Sequence, residues 1–131
     1  MAEESRLAQL YKRADQFNED IPADLAKKIV VYTRILQEIG MQIANHTYHY
    51  RNLEAERKRV YALAVKDAVG TGKDKEAAAE IQVIKHRQKE FKAERDLIKW
   101  QKAYDSTKEL INALKKQLEV LLIEWGGNAS G

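Results

Sequence analysis

The sequence predicts an all-α protein with a short N-terminal helix and a long antiparallel two-helix coiled-coil hairpin that forms oligomers. Two long stretches carry apolar residues at alternating intervals of four and three, the heptad pattern of a coiled coil. Pro22 is the only proline among the 131 residues, so helix-breaking signals are rare. A segment with two glycines separates the two stretches and supplies one turn. This length matches one domain, so positions 1–131 are predicted to form a single helical domain.

The first helix is expected over about 3–18, because five apolar side chains lie three and four residues apart: Leu7, Leu10, Tyr11, Ala14 and Phe17. Turn-forming residues follow, and the fixed φ of Pro22 suits the first turn of a new helix. The second helix is therefore expected over about 22–69. Its seam continues without slippage: Leu25, Ile29, Tyr32, Leu36, Ile39, Ile43, His46, Tyr50, Leu53, Arg57, Val60 and Ala64.

A turn is expected at 70–74, where Gly70 and Gly72 can adopt positive φ and Asp74 can cap the next helix. The third helix is expected over about 75–125. Its apolar seam begins in one phase, at Ala77, Ile81, Ile84, Gln88 and Phe91, and continues in another, from Ala93 to Trp125. A register change between Gln88 and Ala93 is therefore predicted. Gly126 and Gly127 are expected to end the helix and to leave a loose tail at 126–131.

Two long helices joined by a short turn lie antiparallel, and folding about residue 72 places Arg57 opposite His86. A first helix of about 25 Å cannot cover a hairpin of about 70 Å. We therefore predict a homo-oligomer, or a protein partner, on the distal half. The alternative is that a two-helix coiled coil tolerates the apolar residues beside its seam, which in this half are Tyr61, Leu63, Val65, Val83 and Ile98. The predicted interface is centred on four apolar side chains: Tyr61, Val65, Val83 and Phe91.

The charge of the chain is unevenly distributed. The net charge is +3, but positions 46–102 hold 14 Lys or Arg against 9 Asp or Glu. Clustered cations favour nucleic acid or another polyanion. The other interpretation is a solvated face of intrahelical salt bridges, since acidic residues lie at helical spacing from many of these cations. The candidate polyanion-binding residues are Arg57, Arg59, Arg87, Lys92 and Arg95.

Aromatic and histidine residues concentrate in the same half of the hairpin. His46, Tyr50 and Trp100 fall within reach of one another under the antiparallel pairing, and aromatic rings beside cations can stack on a nucleotide. These three residues are the candidate ligand pocket. The alternative is that they are core, because an aromatic stripe at heptad spacing packs between helices and a polar seam residue sets register.

No enzymatic activity is expected, and no cofactor or metal site is predicted. The chain has no cysteine, and no glutamate lies three residues before a histidine, as a di-iron helical site requires. Gly70-Thr71-Gly72-Lys73 lacks the strand, the spacing and the Ser or Thr of a phosphate-binding loop. No stretch is apolar enough to cross a membrane, and the N-terminus does not resemble a signal peptide. A cytoplasmic location is therefore expected.

The run from Trp100 to Trp125, WQKAYDSTKELINALKKQLEVLLIEW, follows a charged helix and a glycine-containing turn. In this it resembles small helical proteins encoded in the early or recombination regions of tailed bacteriophages. The likeness covers residues 45–125. It implies a cytoplasmic accessory protein that acts by binding host or phage machinery, or DNA, and it assigns no functional residue.

Overall fold

A computed structural model describes residues 4–130, with side chains described for 4–126. The all-α class is confirmed: the regular elements of the described residues are helices, and the long helices pack together. In chain order they are α1 (Arg6–Asp15), α2 (Pro22–Asp67), α3 (Gly72–Gln82) and α4 (Ile84–Ser130).

Helix α1 is shorter than predicted at both ends. It begins after Ser5, whose hydroxyl accepts a hydrogen bond from the Ala8 N–H, as an N-cap does. It ends at Asp15, so the predicted extension to 18 was wrong, and position 3 lies outside the described residues. The helix does not continue to Asn18, because the groups of Asn18 form other hydrogen bonds. Its N–H donates to Asp24 Oδ2, and its side-chain oxygen accepts from the Asp20 N–H.

The turn after α2 also differs from the prediction. Helix α2 ends at Asp67 rather than 69, and Gly70 adopts φ 121°. Gly72 is helical and starts α3, so one glycine rather than two takes the left-handed conformation. Thr71, not Asp74, is the N-cap residue. Asp74 closes a capping box, because its carboxylate accepts from the Thr71 N–H while the Thr71 hydroxyl accepts from the Asp74 N–H.

The single helix predicted over 75–125 is two helices. The helix is interrupted at Val83, whose backbone has φ −101° and ψ 5°. The carboxylate of Glu80 accepts two bonds from Arg87 across this junction, at 3.2 and 3.0 Å. The predicted end at Gly126 was also wrong, since α4 continues to Ser130. Glycine permits a left-handed helix end but does not impose one, and position 131 lies outside the described residues.

The chain divides into two compact units, Met1–Met41 with Lys102–Gly131 and Gln42–Gln101. We call them the first and the second unit, and the single domain stays a prediction. The first unit buries apolar side chains from α1, α2 and α4. Tyr11 and Tyr32 form an edge-to-face ring pair between α1 and α2 with centroids 6.4 Å apart, and burial raises the pKa of Tyr32. Its buried apolar residues are Leu10, Ala14, Leu25, Val31, Ile35, Ile39, Ile111 and Leu114.

Candidate functional site

The buried seam of the second unit keeps one phase along α3 and α4. Buried or half-buried residues recur at alternating intervals of four and three: Ala79, Val83, His86, Glu90, Ala93, Leu97 and Trp100. The register change predicted between Gln88 and Ala93 was therefore wrong. The sequence prediction followed the more apolar phase, through Ile84 and Phe91, whereas the chain buries the phase that contains a histidine and a glutamate.

An ion pair between α2 and α4 accounts for this phase. Arg57 Nε donates to Glu90 Oε2 at 2.7 Å, and the two side chains are 18% and 9% exposed. A carboxylate can be buried at a seam position when a cation on the facing helix neutralises it and donates a hydrogen bond. Arg57 was predicted to meet His86, so the observed pairing is displaced by four residues, about one helical turn.

The same unit contains a second contact between these two helices. The rings of His46 and Trp100 lie 6.0 Å apart. His46 precedes Arg57 on α2 while Trp100 follows Glu90 on α4, so the two segments run in opposite directions. The seam also encloses His86 Nδ1, which has no hydrogen-bond partner among the described residues.

Burying the polar phase leaves a row of large apolar side chains in solvent. Ile84 is 50% exposed, Phe91 65% and Ile98 39%. They are seven residues apart, so they lie along one side of α4. We call these three residues the apolar row. Of these, the sequence had assigned Ile84 and Phe91 to the buried seam, and this assignment was wrong.

The four predicted interface residues are not all on an exposed surface. Phe91 is exposed, Tyr61 and Val65 are half-buried, and Val83 is fully buried. A surface centred on Val83 is therefore excluded, because its side chain fills the seam. The sequence prediction counted Ile98 among the apolar residues that flank the seam and assigned Ile84 to the seam, but it did not join either of them with Phe91 in one row. Their seven-residue spacing from Phe91 was the available signal, and it became readable only once Glu90 was placed inside.

Three of the five predicted polyanion-binding residues form ion pairs within the chain. Arg57 binds Glu90, Arg59 donates to Glu56 at 2.7 Å, and Arg87 binds Glu80 at 3.0 Å. The hydrogen bond from Arg59 lowers the pKa of Glu56 and raises that of Arg59. Lys92 and Arg95 are exposed, and neither forms an ion pair with a described residue.

Lysines accompany the apolar row along α4. Lys85, Lys92 and Lys99 each follow one apolar residue directly, so they repeat with the same seven-residue step. All three are exposed, and in the part of the chain that the structure describes none of them pairs with a carboxylate. We call these three residues the lysine row. Among the described residues, Lys92 does not pair with Asp96, four positions further along α4, whereas intrahelical bridges do form on α2, where Arg51 and Lys58 pair with Glu54 and Arg59 with Glu56.

The predicted ligand pocket is only partly assembled. His46 and Trp100 are in ring contact, while Tyr50 is half-buried and lies under the Arg51 guanidinium, 5.9 Å from its ring centroid. A groove of about 470 Å³ adjoins His46, but neither Tyr50 nor Trp100 lines it. A nucleotide site here stays a prediction. The groove is lined by His46, His49, Leu53, Lys89, Lys92, Ala93 and Asp96.

Metal ligands do not gather in the described residues, where no three His, Asp or Glu side chains are placed to hold an ion. Across the same residues, no helix has the length and apolarity needed to span a membrane. Comparison with known proteins found no matching family model, no matching curated protein and no matching solved structure.

Proposed function

We propose that this chain is a non-enzymatic protein-interaction module that binds another polypeptide through the apolar row Ile84, Phe91 and Ile98. The observation that carries the proposal is the exposure of this row in the second unit. An isolated exposed apolar residue needs no explanation, but three large ones at heptad spacing along one helix form the pattern that helical partners recognise.

The seam supports a finer description of the second unit as an antiparallel coiled-coil hairpin. Its positions alternate by four and three on both helices, and the Arg57–Glu90 pair joins them. In a coiled coil one polar seam pair selects register at some loss of stability. That selection favours an outward-facing Phe91, since the inward position beside it is occupied by Glu90.

The apolar row alone does not supply a stable complex. Completing the burial of its three side chains contributes roughly 3–4 kcal/mol, whereas a micromolar complex requires about 8 kcal/mol. The partner must therefore also contact residues beside the row. The self-association predicted from the sequence is one outcome of the experiment below, and the cytoplasmic location and the likeness to phage proteins stay predictions.

Site-specific photo-crosslinking tests the proposal. A benzophenone amino acid replaces Phe91 in one variant and Tyr48 in the matched control, since Tyr48 is an aromatic residue of the same unit and is 73% exposed. After irradiation in bacterial lysate, position 91 should give discrete protein adducts that survive nuclease and high salt, whereas position 48 should give none. A band at twice 15.1 kDa would identify a second copy as the partner. Equal labelling at the two positions would contradict the proposal.

Polyanion binding is a second candidate, favoured by the unpaired cations on α4. Lys92 and Arg95 remain available to phosphate, and the lysine row adds Lys85 and Lys99. Affinity for duplex DNA should fall steeply as salt rises, because each phosphate contact releases counterions. A DNA affinity that is unchanged between low and high salt would exclude this candidate. Polyanion binding differs from the protein-interaction module in requiring no contribution from Phe91.

A further inference from the structure

We infer that the partner of the apolar row is an amphipathic α-helix of another protein that carries Asp or Glu along one edge. The inference rests on the proposed function, since it names the partner class for the same face. Two observations carry it: the heptad spacing of the apolar row, and the unpaired lysine row beside it.

The apolar row sets the shape of the partner. It extends from Ile84 to Ile98, about 21 Å along α4. A helix of about four turns laid along it can place apolar residues of the same period against each of the three side chains. An extended strand cannot do so, because its side chains repeat every two residues.

The lysine row sets the charge of the partner. Each lysine lies one residue after an apolar side chain, which is about 100° around the helix, so the three ammonium groups form one edge of the face. A carboxylate of a docked helix can pair with each of them without breaking an ion pair inside the chain. The opposite edge is formed by Arg87, Glu94 and Gln101. It does not require carboxylates on the partner, since Arg87 is bound to Glu80, Glu94 is acidic and Gln101 is neutral.

A second copy using the same face is a poor occupant. An antiparallel two-fold pair places equivalent edges side by side, so lysine row would meet lysine row. A parallel pair places the lysine row of one copy against Arg87, Glu94 and Gln101 of the other, which offers one carboxylate for three lysines. Like charges across an interface disfavour a complex, so the complementary edge must come from a different sequence.

The test is a display selection of helical peptides against the full chain. The peptides carry leucine at heptad spacing, and both edges are varied among Glu, Gln and Lys. We expect Glu to be enriched over Lys at least tenfold on one edge and not on the other. Binding of the selected peptides should be lost with Phe91→Gln and retained with Tyr48→Gln, the latter altering an exposed aromatic residue on α2 rather than on α4.

Charge reversal provides the matched control. The triple variant Lys85→Glu, Lys92→Glu and Lys99→Glu should invert the selected edge from Glu to Lys. A second triple variant, Lys66→Glu, Lys73→Glu and Lys75→Glu, changes the net charge equally and should keep the Glu preference. Circular dichroism establishes that each variant remains helical.

The outcomes separate the inference from the proposed function. Peptides that depend on Phe91 but show no edge preference, or prefer Lys, overturn the acidic partner and leave the interaction module standing. Failure to enrich any Phe91-dependent peptide also overturns the inference, while the module itself fails if crosslinking at position 91 gives no protein adduct or labels protein no more than position 48 does. Duplex DNA that binds the chain and Phe91→Gln equally, with no peptide enriched, would assign the lysine row to a polyanion and also overturn the inference.

Discussion

The two units bury different kinds of side chain. The first encloses the large side chains of Leu25, Ile35 and Ile39 completely. The second buries Val83, two alanines (Ala79 and Ala93) and Glu90 of an ion pair. The first unit includes α1, whose Leu10 and Ala14 are buried with the residues of α2. In the second, α2 packs against α3 and α4. The second unit therefore buries one seam, because α3 and α4 follow one another along it. In the first unit, α1 provides a second buried face.

Under the proposed function, stability and binding therefore depend on different parts of the chain. Large aliphatic side chains contribute most when fully buried, so the first unit should dominate stability. The second unit leaves the apolar row Ile84, Phe91 and Ile98 partly in solvent, where these side chains contribute less to folding and are available to the proposed partner. Four sets of substitutions test the packing, the ion pair and the turn, from the largest expected effect to the smallest.

Ile35→Ala should give the largest loss of stability. Ile35 is fully buried, so the substitution removes apolar burial and leaves a cavity, which lowers the free energy of unfolding by about 3–4 kcal/mol. Leu53→Ala is the counterpart in the second unit. Because Leu53 is only half-buried, its truncation should lower the free energy of unfolding by about 1–2 kcal/mol. Urea denaturation measures both. Equal losses would show that the two units are packed alike.

Glu90→Ala should destabilise the chain by about 2–3 kcal/mol, because Arg57 would be left mostly buried without its carboxylate. Replacing both partners, Arg57→Leu with Glu90→Leu, should return stability to within about 1 kcal/mol of the parent. Denaturant unfolding gives both values. A double variant as unstable as the single one would mean that the ion pair does not decide which side chains are buried.

Gly70→Ala should cost about 1–2 kcal/mol, since Gly70 has φ 121° and an added Cβ would come within 2.8 Å of Asp74 Oδ2. Gly72→Ala is the matched control. It lies in the first turn of α3 with nothing within 4 Å of an added Cβ, so it should stabilise by up to about 1 kcal/mol. Thermal unfolding compares the two variants. An equal loss of stability in Gly72→Ala would contradict the assignment of the left-handed conformation to Gly70 and not to Gly72.

The smallest effect expected is a pH dependence at the same turn. The hydrogen bond from the Thr71 N–H lowers the pKa of Asp74. Because the folded pKa lies below the unfolded one, the stabilisation is complete above about pH 4 and is lost as the pH falls further. Asp74→Asn should lower stability at neutral pH and reduce the acid-induced loss. Unfolding midpoints between about pH 5 and pH 2.5 measure this, and an unchanged pH profile would contradict it.

Much of the fold was accessible from local sequence. Two long helical stretches and a glycine turn follow from the spacing of apolar residues and from turn chemistry, and both act over a few residues. The ends of α1 and α4 were misplaced, because a helix end depends on which side chain caps it. At the turn, Thr71 was overlooked since Asp74 also suited a cap, and the two act together as a capping box.

The candidate site was less accessible. Phe91 was predicted both as a seam residue and as part of an interface, and it is exposed, whereas Val83, assigned to the same interface, fills the seam. Arg57, Arg59 and Arg87 were predicted either to bind a polyanion or to form salt bridges within the chain, and each is bound to a carboxylate. Pairs such as Arg87 with Glu80, seven residues apart across a helix junction, do not follow from the spacing rules of a single helix.

The sequence by itself determined that this chain is helical and where its two long stretches of heptad spacing lie, because helix periodicity and turn chemistry are local. It offered two phases for the residues around Gln88, one apolar and one polar. Tertiary structure decided between them, since Arg57 lies 33 residues from Glu90 and only packing of α2 against α4 brings them together. That ion pair buries Glu90 and, as a consequence, leaves the apolar row Ile84, Phe91 and Ile98 exposed to solvent.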